Sequence, residues 1–112
     1  MALTIESVSL MKRYFTGVME RANHHADMVD EVILALMGGI IWRAAEVEVR
    51  TYKDKTANML WMTTDDGDTY SFIYNHNTGN IECHEGNMNG VLLKEFNNSN
   101  SLSHVKSFFK EL

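Results

Sequence analysis

At 112 residues the chain has room for one domain with a core of its own, and its charge of −5, fifteen acids against ten bases, repels phosphate backbones and argues against a nucleic-acid partner. The densest basic cluster, Lys53-Asp54-Lys55, carries its own acid, and the longest apolar stretch, Val32 to Trp42, falls short of the ~20 residues that span a bilayer. One cysteine, Cys83, rules out an internal disulfide, and Glu6, Lys12 and Arg13 break any apolar leader, so a cytoplasmic protein with no membrane partner is expected.

Thr4 reads as a helix N-cap, with Glu6 in the first turn where the helix dipole favours an acid. Val8, Met11, Phe15, Val18, Ala22, His25, Val29, Val32 and Leu36 follow at 3,4 spacing and mark one stripe of a helix. No proline forces a break between Ile5 and Met37. An unbroken helix of that length would run about 50 Å, long for a chain whose expected radius of gyration is near 13 Å. The segment therefore either bends near Asn23 into a kinked pair or projects to pack on a second copy. Gly38-Gly39 reads as its stop, with β-type Ile40-Ile41-Trp42 starting at once.

The period then changes from 3.6 to 2. Val47, Val49 and Thr51 alternate with Glu46, Glu48 and Arg50 in a half-buried strand. Met59 to Met62, Thr69 to Tyr74, Ile81 to Glu85 and Val91 to Phe96 supply four more, with hairpin turns at Asp65–Asp68 around Gly67 and at Asn77–Asn80 around Gly79. A polar loop, Asn97 to Ser101, ends in a helix cap, and Leu102, Val105, Phe109 and Leu112 recur at helical spacing. Short links between strands require antiparallel neighbours. The expected fold is α+β in one domain, residues 1–112: an N-terminal helix or kinked helix pair, an antiparallel meander of about five strands and a short C-terminal helix.

The stretch His24 to Arg43, the run Leu60-Trp61-Met62-Thr63, and the strand Tyr70-Ser71-Phe72-Ile73-Tyr74-Asn75-His76 followed by Gly79 and Ile81-Glu82 resemble a group of small proteins carried by bacterial integron gene cassettes. The resemblance spans about half the chain, leaving out the first ~20 residues and the C-terminal helix. Its motifs are structural: a helix rich in His, Ala and acids, an Ala-Leu-x-Gly stop, an Ile-Ile-Trp-Arg strand start and a Tyr-x-Phe-x-Tyr-Asn-His strand. It implies a product of mobile bacterial genes, often oligomeric, and supplies no catalytic residues.

Candidate chemistry is sparse. His24, Asp27 and Glu31 stand at i, i+3 and i+7, so a helix would stack them on one face as a possible ligand set. Acids also belong at a helix start, and the spacing matches no closed metal motif, so no metal and no cofactor are expected. His25 sits on the apolar stripe between Ala22 and Val29, either as a hydrogen-bonded core histidine or as a polar marker at a seam between copies that would include Val29 and Val32. Cys83 and His84, adjacent on a strand, point to opposite faces and cannot pair. Asp65, Asp66 and Asp68 are turn residues without EF-hand spacing. Trp61, Tyr70, Phe72 and Tyr74 form an aromatic group whose polar tips suit a pocket wall or an interface, although core is the simpler assignment.

Strands apolar on both sides need cover on both sides, more than two helices provide. The sequence therefore predicts a non-enzymatic, self-associating module, a homo-oligomer and first of all a dimer, which binds a partner protein or a small molecule. The alternative is a small enzyme or ligand-binding protein with a pocket between sheet and helices, using His24, Asp27 and Glu31, with Trp61, Tyr70 and Tyr74 as further ligand contacts.

Overall fold

The computed structural model describes residues 2–4, 12, 16, 29–52, 55–75, 77–87 and 89–112. Its elements are β1 (Ala2–Thr4), α1 (Val32–Arg43), β2 (Ala44–Tyr52), β3 (Lys55–Thr64), β4 (Thr69–Asn75), β5 (Asn80–Glu85), β6 (Leu92–Phe96) and α2 (Leu102–Lys110). The strands form one sheet in sequence order, each pairing antiparallel to its neighbours. The α+β class, the meander and the C-terminal helix are thus as expected. One strand is additional: Ala2–Thr4 lies along β2, opposite Arg50, Val49 and Glu48, so Thr4 is a strand residue and not a helix cap. Most of the expected N-terminal helix, including its possible bend at Asn23, lies outside the described residues.

The expected helix end is corrected at both limits. Val29 to Glu31 form a bend and a turn, so α1 starts only at Val32. It then continues through Gly38-Gly39 to Arg43, and Ile40-Ile41-Trp42 are helical where a strand start was expected. The cause is tertiary. A Cβ at Gly39 would collide with the Phe109 ring, so the missing side chain brings α1 and α2 together and does not end the helix. Ile33, Leu36 and Ile40 keep helical spacing across the glycines and are 5, 1 and 2 % exposed. Ala44 ends the helix in extended geometry while its N–H still reaches the Ile40 carbonyl.

A remote side chain caps the start of α1. Glu31 provides no side-chain cap, and the Asn98 amide oxygen accepts from the Glu31 and Val32 N–H groups at 3.0 and 2.9 Å. The same amide donates to Asp30 Oδ1 at 2.8 Å. At the other end of the pair, Arg43 donates to the Phe109, Lys110 and Leu112 carbonyl oxygens at 2.8, 3.1 and 2.7 Å, which satisfies the open end of α2 and sets a cation against its dipole. Ser101 caps α2 as the sequence indicates, its Oγ accepting from His104 N–H at 3.1 Å.

Cross-strand register writes the core as rows. Val49, Leu60, Phe72, Cys83 and Lys94 are successive partners, as are Val47, Met62, Tyr70 and Glu85, and Tyr74, Ile81 and Phe96. Their apolar members pack under the helices with Val29, Val32, Ile33, Leu36, Ile40, Val105 and Phe109. Phe109 stacks on Phe72 at 5.9 Å, and Phe108 meets Phe96 and Phe109 edge-on at 5.1 and 5.4 Å. Two rows leave the core at charged residues, Lys94 and Glu85.

Candidate functional site

Where those rows emerge, the sheet and α2 flank an open cleft of about 570 Å³. Phe108, Leu93 and Leu112 give it apolar walls, and Tyr70, Glu85, Lys94, His104 and Glu111 line it with polar groups. The placement follows from periodicity. Tyr70 and Glu85 are cross-strand partners and share a face, and Lys94 lies opposite Cys83 on the next strand. On α2, His104, Phe108 and Glu111 stand at i, i+4 and i+7, one stripe of the helix.

The Tyr70 hydroxyl is held above the ordinary tyrosine pKa, first by burial, then by the negative charges of Asp68 and Glu85, and so remains a protonated donor. Among the described residues that hydroxyl makes no hydrogen bond, and Lys94, Glu85 and Glu111 make no ion pair. Charges of both signs line one cleft without neutralising one another.

The opposite sheet face carries a polar network. Asn75 Nδ2 donates to Glu82 Oε2 at 2.8 Å, Glu82 Oε1 contacts His84 Nε2 at 2.9 Å, and His84 Nδ1 contacts the Gly90 carbonyl oxygen at 3.0 Å. Both imidazole nitrogens face acceptors, which favours the imidazolium. The His84 pKa is accordingly raised, chiefly by the Gly90 carbonyl, and the Glu82 pKa lowered, chiefly by His84 and then by Asn75.

Ser71 is the cross-strand partner of His84, and its buried Oγ has no hydrogen-bond partner among the described residues. With Glu82 the three residue types are those of a hydrolytic triad. The geometry does not support one, because His84 spends both nitrogens on Glu82 and Gly90 and keeps none as a base for Ser71. Cys83 is no nucleophile either: fully buried on the core face, its thiol is pushed up to about 12 by desolvation.

The residues singled out from sequence separate. His24, His25 and Asp27 lie outside the described residues. Glu31 is exposed in the turn before α1, away from the cleft. Tyr70 lines the cleft, whereas Tyr74 is 6 % exposed within the core. Trp61 is not on the tyrosine face: its partners are Glu48 and Ser71, so the register sets it on the reverse side of the sheet. Val29 and Val32, expected at a seam between copies, are enclosed in the chain's own core at 0 and 4 % exposure. Of the other cleft residues, the sequence marks only that His104, Phe108 and Glu111 share one stripe of α2, not that the stripe meets Tyr70, Glu85 and Lys94. Alternation along β5 likewise puts Glu82 and His84 on one face.

A third feature is apolar. Leu34, Ile41, Trp42 and Leu102 are 57, 60, 56 and 77 % exposed, and a groove of about 250 Å³ between α1 and α2 runs beside Leu34, Gly38, Trp42 and Leu102. Among the described residues no group of His, Cys, Asp and Glu could hold a metal ion, and no helix is long and apolar enough to cross a membrane. A family model described as integron cassette protein VCH_CASS1 chain matches residues 11–106. No curated protein matches the chain.

Proposed function

The chain belongs to that family of integron cassette proteins, and from this premise we propose that it is a non-enzymatic module that self-associates, a second copy seating on the outer face of α1. The observation that carries the reading is Gly38. Glycine in a helix interior costs up to ~1 kcal/mol relative to alanine. Gly39 has an internal reason in Phe109, whereas among the described residues a Cβ at Gly38 would meet nothing within 4 Å. A bare spot beside a groove, flanked by the exposed Leu34, Ile41 and Trp42, is a place where another backbone can approach closely.

The occupant is a copy of this chain because ridge and groove lie side by side on one surface, as a self-complementary two-fold contact requires. Leu34, Ile41, Trp42 and Leu102, each more than half exposed, together offer an apolar patch on the order of 500 Å². With a polar rim, that approaches the ~800 Å² per partner of a stable interface. The non-enzymatic reading draws support from His84, which has no free nitrogen, and from the buried thiol of Cys83. A reducing cytoplasm suits a chain whose one cysteine is free and buried.

Light scattering coupled to size exclusion at micromolar concentration tests the proposal. The expected mass is twice the 12.8 kDa of one chain, falling to the single-chain value in Trp42→Glu and in Ile41→Lys with unchanged circular dichroism. A single-chain mass for the parent protein, or a dimer that survives both substitutions, would overturn it.

A further inference from the structure

The cleft between the sheet and α2 plays no part in the self-association surface, and its lining is chemically specific. We propose that it binds a small zwitterion with an apolar body, a free apolar α-amino acid being the simplest member of that class. The separation of charge carries the proposal. Lys94 stands in the same cleft as Glu85 and Glu111, yet forms no ion pair with either, and the Tyr70 hydroxyl makes no hydrogen bond among the described residues. A ligand with one carboxylate and one ammonium joined by a short backbone satisfies both sets at once.

The division of labour follows from the residue types. Lys94, with donors from Tyr70 and His104, takes the carboxylate. Glu85 and Glu111 take the ammonium. Phe108, Leu93 and Leu112 receive the apolar side chain, and a volume of about 570 Å³ falls in the range of small-molecule sites. Other ligand classes fit less well. A phosphate or dicarboxylate would face two glutamates, and a simple amine would leave Lys94 unanswered. A bare metal ion is disfavoured because His104, Glu85 and Glu111 do not converge on a coordination site.

Amide chemical-shift titration of the full chain decides the matter, with L-phenylalanine, phenethylamine and phenylacetate as probes. The last two each lack one charge of the first. L-phenylalanine is expected to shift resonances of β4, β5, β6 and α2, and to bind about tenfold or more tightly than either truncated probe, the effect of losing one charge-assisted contact. Lys94→Met is expected to weaken L-phenylalanine and phenylacetate while sparing phenethylamine. Glu111→Gln is expected to weaken L-phenylalanine and phenethylamine while sparing phenylacetate. Glu111 is exposed and Lys94 half-buried, so both variants keep the fold. Three results would sink the proposal: no shifts with L-phenylalanine at millimolar concentration, equal affinity for a truncated probe, or shifts confined to other elements. Each is independent of the mass measurement above.

Discussion

Gly38 and Gly39 are neighbours in one helical turn with opposite surroundings. A methyl at Gly39 collides with the Phe109 ring and forces α1 from α2 or Phe109 from Phe72, so Gly39→Ala is expected to destabilise by roughly 1–3 kcal/mol. Gly38→Ala meets no described residue and gains helix propensity, so in the Trp42→Glu background it is expected to stabilise by up to ~1 kcal/mol. Denaturant melts of the pair check both signs.

His84 supplies a second test at the same scale. Its folded pKa is raised, so its contribution to stability is complete below the unfolded value near 6.5 and is lost as pH rises through the higher folded value. Glu82 is lowered, so its contribution is complete above about 4.3 and is lost as pH falls through the lower folded value. The network is therefore strongest between about pH 4.3 and 6.5. His84→Gln should remove much of the stability lost between pH 5.5 and 8. Parallel melts of the parent and variant that keep the same pH difference would contradict that assignment.

At the scale of elements, α1 and α2 each have one end satisfied by a partner distant in sequence. Asn98 occupies the start of α1 from a loop more than sixty residues away, and Arg43 closes the end of α2. Asn98→Ala leaves the Glu31 and Val32 N–H groups without that acceptor and is expected to cost about 1–2 kcal/mol in chemical denaturation. Asn98→Asp keeps the acceptor but brings a second carboxylate to Asp30, so its stability should fall between Asn and Ala. The Ser101 cap could be read from sequence because its partner is three residues on; the Asn98 cap could not, because no local pattern marks a cap contributed by another loop.

For the whole molecule, self-association links stability to concentration. A dimer formed only by folded chains raises Tm as protein concentration rises, because the partner stabilises the native state alone. Scanning calorimetry at about 5 and 500 μM is expected to show a Tm several degrees higher at the upper concentration, since a hundredfold change is worth up to ~2.7 kcal/mol. Trp42→Glu should show no such shift. A parent protein whose Tm ignores concentration would leave the exposed face of α1 without the role assigned to it.

What was legible in sequence is what short-range physics controls. Alternation along β2, β4 and β5, the positive-φ turn glycines Gly67 and Gly79 and the Ser101 cap follow from patterns spanning a few residues. These determined the α+β class and the antiparallel order. Tertiary structure decided the rest. An apolar run such as Ile40-Ile41-Trp42 suits strand or helix, and the contact of Gly39 with Phe109 made it helix. Register alone separated Trp61 from Tyr70, since a shift of one residue exchanges the faces of a strand. Tyr70 was a candidate from the start, but Glu85, Lys94, His104 and Glu111 meet it only because two sheet rows end where one stripe of α2 packs. No local sequence signal records that meeting, because it depends on how far the helix and the sheet each extend before they touch.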